Sequence, residues 1–144
     1  MCGISGFNWE NKELIESMKE SIKHRGPDSD GTFIESVSLG FQRLAIIDLS
    51  ENGEQPMSSS DEKIWIVFNG EIYNFQEIRK ELEMLGHKFK STSDTEIIIY
   101  AYKEWGFDCV KRFDGMWAFC IYDKDKNIFF ISRDRFGEKP LYYF

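Results

Sequence analysis

Positive charge is scarce in this chain. Eighteen Lys and Arg stand against 25 Asp and Glu in 144 residues, a formal net charge of −7. No Lys/Arg stripe or basic tail interrupts that balance, so the electrostatic footprint of a nucleic-acid-binding protein is missing. Long apolar runs are missing too, and none could span a bilayer. The opening Met1-Cys2-Gly3-Ile4-Ser5-Gly6-Phe7 has neither a basic region nor a long apolar stretch, so it does not read as a signal peptide. Cysteine is limited to Cys2, Cys109 and Cys120. An odd number at wide spacing is no disulfide framework, and no Cys-x-x-Cys suggests a metal. Three such thiols fit a reducing, cytoplasmic compartment. Neither a repeat nor a Pro/Gly/Ser-rich linker divides the chain, so residues 1–144 read as one domain.

What is present is apolar and aromatic. Hydrophobic residues make up 42% and aromatics 16%, which favours a sheet-rich core. Gly3–Trp9 reads as a strand. Leu14, Ile15, Met18 and Ile22 share one helical face within Asn11–Lys23. His24–Gly31 is dense in turn formers and reads as a loop, with strands expected at Thr32–Glu35 and Val37–Leu44. Glu51–Asp61 is polar and irregular. Ile64–Phe68 reads as a buried strand that ends in the turn signal Asn69-Gly70. Asn74 is placed as the N-cap of a helix carrying Ile78, Leu82 and Leu85 and stopping at Gly86. Ser93-Asp94-Thr95-Glu96 matches a capping box ahead of a helix ending at Trp105-Gly106. Met116–Asp123 and Ile128–Arg133 flank Lys124–Asn127 as a hairpin, with Trp117 and Phe119 in the core. Cys109 and Cys120 read as small buried hydrophobes, and His87 as a surface residue at a helix end. The irregular alternation of strands and helices argues for antiparallel sheet with helices packed on it, an α+β fold.

The chemistry begins at the N-terminus. Cysteine is small enough for removal of Met1 by an aminopeptidase. The α-amine then exposed is a base that ordinarily titrates near ~7.7–8.0. It sits on the same residue as a thiol, so nucleophile and base come together without a histidine. Gly3 and Gly6 either let a substrate approach the backbone or serve tight packing. Read locally, Asp94 places charge at a helix N-terminus, Asn69-Gly70 makes a turn, and Arg43 is a cation at a strand end.

Seven stretches together resemble the class II glutamine amidotransferase domain of asparagine synthetases. They are Met1–Phe7, His24-Arg25-Gly26-Pro27-Asp28, Arg43-Leu44-Ala45-Ile46-Ile47-Asp48 and Asn69-Gly70-Glu71-Ile72-Tyr73-Asn74. Ser93–Glu96, Phe113-Asp114-Gly115-Met116-Trp117-Ala118-Phe119 and Arg133–Tyr143 complete the set, in order along the whole chain.

That resemblance implies an N-terminal nucleophile hydrolase fold: a four-layer α/β/β/α sandwich of two antiparallel sheets. It implies glutamine as substrate and no cofactor for its hydrolysis. Cys2 would attack the side-chain amide, and Asn69 and Gly70 would form the oxyanion hole. Arg43 would hold the α-carboxylate, Asp94 with Glu71 the α-ammonium, and Leu44, Ala45, Ile46 and Ile47 would line the pocket. Arg25 and Asp28 are placed as loop scaffolding. The ammonia would pass to an ATP- and Mg²⁺-dependent synthetase domain that aminates aspartate. No Ser-Gly-Gly-rich ATP-pyrophosphatase loop occurs in these residues. The resemblance also implies some tens of residues beyond Phe144, so the sandwich is expected to be truncated at its C-terminal side. The amidotransferase domains of glucosamine-6-phosphate synthase and amidophosphoribosyltransferase share the N-terminal cysteine. Pro27-Asp28 in the His-Arg-Gly loop, Ile46-Ile47-Asp48 and the tail Gly137-Glu138-Lys139-Pro140 fit the asparagine synthetase branch better. A non-catalytic module that binds glutamine or a partner is the reading that retention of Met1 favours. The sequence leaves the oligomeric state open.

Overall fold

A computed structural model describes residues 1–48 and 50–144. Strand β1 (Gly3–Phe7) is followed by helix α1 (Lys12–Ser21), then by strands β2 (Ser29–Ile34) and β3 (Ser38–Arg43). A two-residue strand β4 (Met57–Ser58) leads to the long β5 (Ile64–Ile72). Helices α2 (Phe75–Met84) and α3 (Asp94–Trp105) precede the hairpin of β6 (Gly115–Asp123) and β7 (Ile128–Arg133). Two sheets result, ordered β1-β3-β2 and β4-β5-β6-β7. Every pairing within them is antiparallel.

Alternation along the strands sets the layers. In β3, Leu39 and Phe41 turn toward the second sheet and form an apolar cluster with Phe33, Val37, Val67 and Tyr122. The Phe33 ring stacks on Trp65 across the two sheets, with centroids 4.1 Å apart. Gly40 and Gln42 face the other way. Gln42 Nε2 donates to the Lys19 carbonyl at 3.3 Å, and Gly40 leaves room for Lys19 and Ile15 of α1. In the second sheet, Ile66, Phe68, Ile72, Trp117, Phe119 and Ile121 pack against Ile78 and Leu82 of α2 and Ile97, Ile98 and Ala101 of α3. The order is therefore helix, sheet, sheet, helices. Strands covered on both faces read as continuous apolar runs, which explains why Ile64–Phe68 and Met116–Tyr122 hardly alternate. Trp117 and Phe119 lie in the core as expected.

Several local expectations change. The strongest turn signal, Asn69-Gly70, is not a turn: β5 runs through it to Ile72, with Asn69 opposite Ala118 and Gly70 opposite Trp117. The local preference yields because β6 supplies a partner along the whole length. β1 stops at Phe7, and β2 starts at Ser29, inside the expected loop, because β3 pairs with it as far as Arg43. Asn74 occupies the N-cap position of α2 without capping it. Its amide donates to the Arg112 carbonyl at 2.9 Å and accepts from Asp114 N–H at 3.0 Å. Only half of the capping box forms. Ser93 accepts from Thr95 N–H, while the Glu96 carboxylate collects Lys90 N–H, Ser91 N–H and the Ser91 hydroxyl. His87 is not a plain surface residue: Nε2 lies 3.0 Å from Glu104 and joins the two helices. Leu14 of α1 and Leu85 at the end of α2 are exposed, whereas Lys19 is buried on the α1 face. Gly3 and Gly6 serve packing, against Ile22 and Leu39.

Candidate active site

Cys2 directly precedes β1, and its thiol docks on the backbone just past the end of β3. Leu44 N–H approaches Sγ at 3.4 Å, and Sγ lies 3.6 Å from the Leu44 carbonyl. Arg25 Nε donates to the Cys2 carbonyl at 3.1 Å. Asp28 accepts Ala45 N–H at 2.9 Å and donates its own N–H to the Arg43 carbonyl at 3.0 Å. The expected scaffolding of the His24–Asp28 loop is thus direct: one residue holds the cysteine and the other holds the strand end it faces. Burial pushes the Cys109 and Cys120 thiols up to about 12, so neither is a nucleophile at neutral pH.

A cleft opens beside the Cys2 thiol. Arg43, Leu44, Ala45, Ile46, Ile47, Gly70, Glu71 and Asp94 line it together with Cys2. Arg43 is buried. It donates Nη1 to the Ser50 carbonyl at 3.2 Å and Nη2 to the Asp48 carbonyl. No carboxylate pairs with it among the described residues. Its charge is thus fixed in place and uncompensated. Asp94 opens α3 and accepts Ile72 N–H at 3.0 Å. Burial, with the Glu71 charge nearby, pushes its carboxyl up to about 6. A buried carboxyl beside a second carboxylate forms a natural seat for a cation.

Asn69 is buried on β5 and is absent from the cleft lining itself, although its neighbours Phe68 and Gly70 belong to it. Alternation puts its side chain on the β5 face that carries Val67 and Glu71. Its amide makes no hydrogen bond among the described residues. Gly70 allows β5 and β6 to touch: a Cβ there would lie 2.2 Å from the Met116 carbonyl oxygen. The cleft lining therefore includes every sequence-predicted residue except Asn69, which lies beside it on the β5 face that also carries Glu71.

Over residues 1–144 the sequence matches the glutamine amidotransferase domain family. The chain belongs to that family. It is 46% identical to a putative glutamine-hydrolysing asparagine synthetase of Methanocaldococcus jannaschii, over all of this chain and 32% of that protein. It is 48% identical to asparagine synthetase 1 of Bacillus subtilis, over 99% of this chain and 24% of that protein. The chain therefore spans a third or less of the length of these curated relatives. The solved glutamine phosphoribosylpyrophosphate amidotransferase of B. subtilis superposes with a TM-score of 0.70 at 18% identity, over 86% of this chain and 35% of that one. That likeness establishes the shared sandwich fold.

Two contributors to the amidotransferase cleft carried little signal in the sequence. Gln55 lies in the polar Glu51–Asp61 stretch, yet it is buried and lines the cleft. Its amide pairs with Phe68 as a strand would, accepting the N–H at 2.6 Å and donating to the carbonyl at 3.3 Å. Asp48 was visible only as the close of the Arg43–Asp48 stretch. Its Asp-x-Ser spacing to Ser50 is the one local hint, an Asx turn. At the mouth of the chain, Lys139 is buried and donates to the Met1 thioether at 2.6 Å. With Met1 in place, the Cys2 nitrogen is an amide. Among the described residues no cluster of three or more His, Cys, Asp or Glu could hold a metal ion, and no helix is long and apolar enough to cross a membrane.

Proposed function

We propose that this domain hydrolyses the side-chain amide of glutamine to glutamate and ammonia, with Cys2 as nucleophile once Met1 is removed. One observation carries the reading: the thiol shares a cleft with an uncompensated buried arginine and a pair of carboxylates. Glutamine is a zwitterion at one end and a neutral amide at the other. Arg43 offers a planar fork to the α-carboxylate, and Asp94 with Glu71 offers the opposite charge to the α-ammonium. The amide carbon is then left for Cys2.

The α-amine of Cys2 takes the thiol proton as sulfur attacks the amide carbon. The developing oxyanion is received by the Asn69 side chain and the Gly70 N–H; removing one such donor ordinarily costs about 2.7–4 kcal/mol. The amine returns its proton to the departing nitrogen, and ammonia leaves a γ-glutamyl thioester. Water, activated by the same amine, releases glutamate and restores the thiol. One hard step becomes two easier ones.

The curated relatives named above as glutamine-hydrolysing asparagine synthetases support a further assignment. The ammonia passes to an ATP- and Mg²⁺-dependent synthetase domain, which aminates aspartate in the cytoplasm. Neither ATP nor Mg²⁺ has a role in the glutaminase step.

The test is direct. Intact mass should show loss of Met1, a diazo-ketone analogue of glutamine should label Cys2, and glutamine should release ammonia. A folded chain lacking Met1 that neither labels nor releases ammonia sinks the catalytic reading and leaves a glutamine- or partner-binding module.

A further inference from the structure

We infer that Asp48 is a positioning residue that sets the spacing between the two charged walls of the cleft. The inference rests on the glutamine reading above. Asp48 belongs to neither wall's charged pair, yet it touches both sides. Its carbonyl receives the Arg43 guanidinium, and its carboxylate Oδ2 accepts Thr92 N–H at 2.9 Å and the Thr92 hydroxyl at 3.0 Å. Thr92 lies two residues before Asp94. Among the described residues, no other hydrogen bond joins residues 44–50 to residues 90–96. The second carboxylate oxygen is held just as firmly, by Ser50 N–H at 2.9 Å and the Ser50 hydroxyl at 2.6 Å.

A zwitterionic substrate makes that tie matter. The end of β3 carries the arginine, and the first residue of α3 is the aspartate. The two stretches are far apart in sequence. Glutamine fixes the separation of its own α-carboxylate and α-ammonium, so the cleft must hold its two receptors at a matching separation. Every donor to the Asp48 carboxylate is a neutral N–H or hydroxyl. The four donors keep its carboxyl near about 2, with the Ser50 hydroxyl the largest influence. The tie therefore remains ionised wherever the enzyme works.

The experiment separates positioning from general support of the fold. Asp48→Asn, Thr92→Val, the double variant and Thr92→Ser are compared with the parent, all with Met1 removed and all checked by thermal melting. Steady-state kinetics with glutamine are combined with two Cys2 labelling rates: a diazo-ketone glutamine analogue, which needs both charged receptors, and iodoacetamide, which needs neither. Asp48→Asn and Thr92→Val should raise KM about ten-fold or more, with kcat within about three-fold, a size typical of a misplaced substrate-positioning group. Analogue labelling should slow in proportion while the iodoacetamide rate stays put. Thr92→Ser should restore KM. The double variant should be no worse than Asp48→Asn alone, since both changes break one tie.

An unchanged KM, or equal losses in both labelling rates, overturns the inference. If a single variant fails to fold, the remaining one decides by the same split. A parent protein that the analogue does not label removes the glutamine reading and this inference together. Normal labelling of the parent with normal KM in the variants removes only this inference.

Discussion

Asp94 faces opposing demands. Burial and the neighbouring Glu71 push its carboxyl up to about 6, whereas an ammonium needs it ionised. Its proton is held more tightly in the folded chain than in the unfolded one, so its contribution to stability falls as pH rises from the ordinary carboxylate range through about 6. Above that pH the folded state carries the full cost of the buried charge. Asp94→Asn removes that cost and still accepts the Ile72 N–H. It should therefore raise the melting temperature at pH 7.5, by roughly 1–3 kcal/mol of stability, while raising KM for glutamine. In the parent, kcat/KM should fall as pH drops through about 6, and in the variant that limb should vanish. A variant that loses fold and affinity together would return Asp94 to the role of a helix-end charge. Residue chemistry was legible here only in combination. Asn69-Gly70, Arg43 and Asp94 each had a plain local meaning, Cys2 alone named a nucleophile without a substrate, and the pattern of the whole set pointed to a common site. Gln55 stayed hidden because its task is to imitate a strand, which no local composition encodes.

At the scale of elements, periodicity served well wherever one face met water. The amphipathic helices α1 and α2 fall where their spacing puts them. It failed where a partner overrode local preference. Asn69-Gly70 has the composition of a hairpin turn, yet it continues β5 because β6 offers backbone partners from Ile64 to Ile72. The glycine is required for closeness, not for turning. Gly70→Ala forces a methyl group against the Met116 carbonyl. The variant should destabilise the β5–β6 pair by about 1–3 kcal/mol, as overpacking does, read as a lower denaturant midpoint. Glutamine hydrolysis should fall further than stability explains, because Gly70 lines the cleft and its N–H is the oxyanion donor of the proposed mechanism. Activity that merely tracks the folded fraction would confine Gly70 to packing.

At the scale of the molecule, the four-layer order was available from the resemblance and from strands too apolar for one-sided burial. Which strand lies at each edge was not, since sheet order depends on contacts between distant segments. The inter-sheet core of Phe33, Val37, Leu39, Phe41, Val67 and Tyr122 keeps β3 against β5. The cleft forms where those two strands leave that core, at Arg43 and at Gly70.

The placement of Cys2 one residue before β1 has a practical side. β1 pairs with β3 from its first residue, Gly3 opposite Gln42, so no slack separates the proposed nucleophile from the sheet. Any affinity tag fused ahead of Cys2 should leave a folded but silent protein, because the cysteine nitrogen is then locked in a peptide bond. Cleavage by a protease that exposes Cys2 as the first residue should switch ammonia release on, without further refolding. A tagged form with full activity before cleavage would show that the base lies elsewhere. The same exposed amine and thiol would also capture thioester reagents, so chemical ligation at this terminus labels the enzyme and inactivates it in one step.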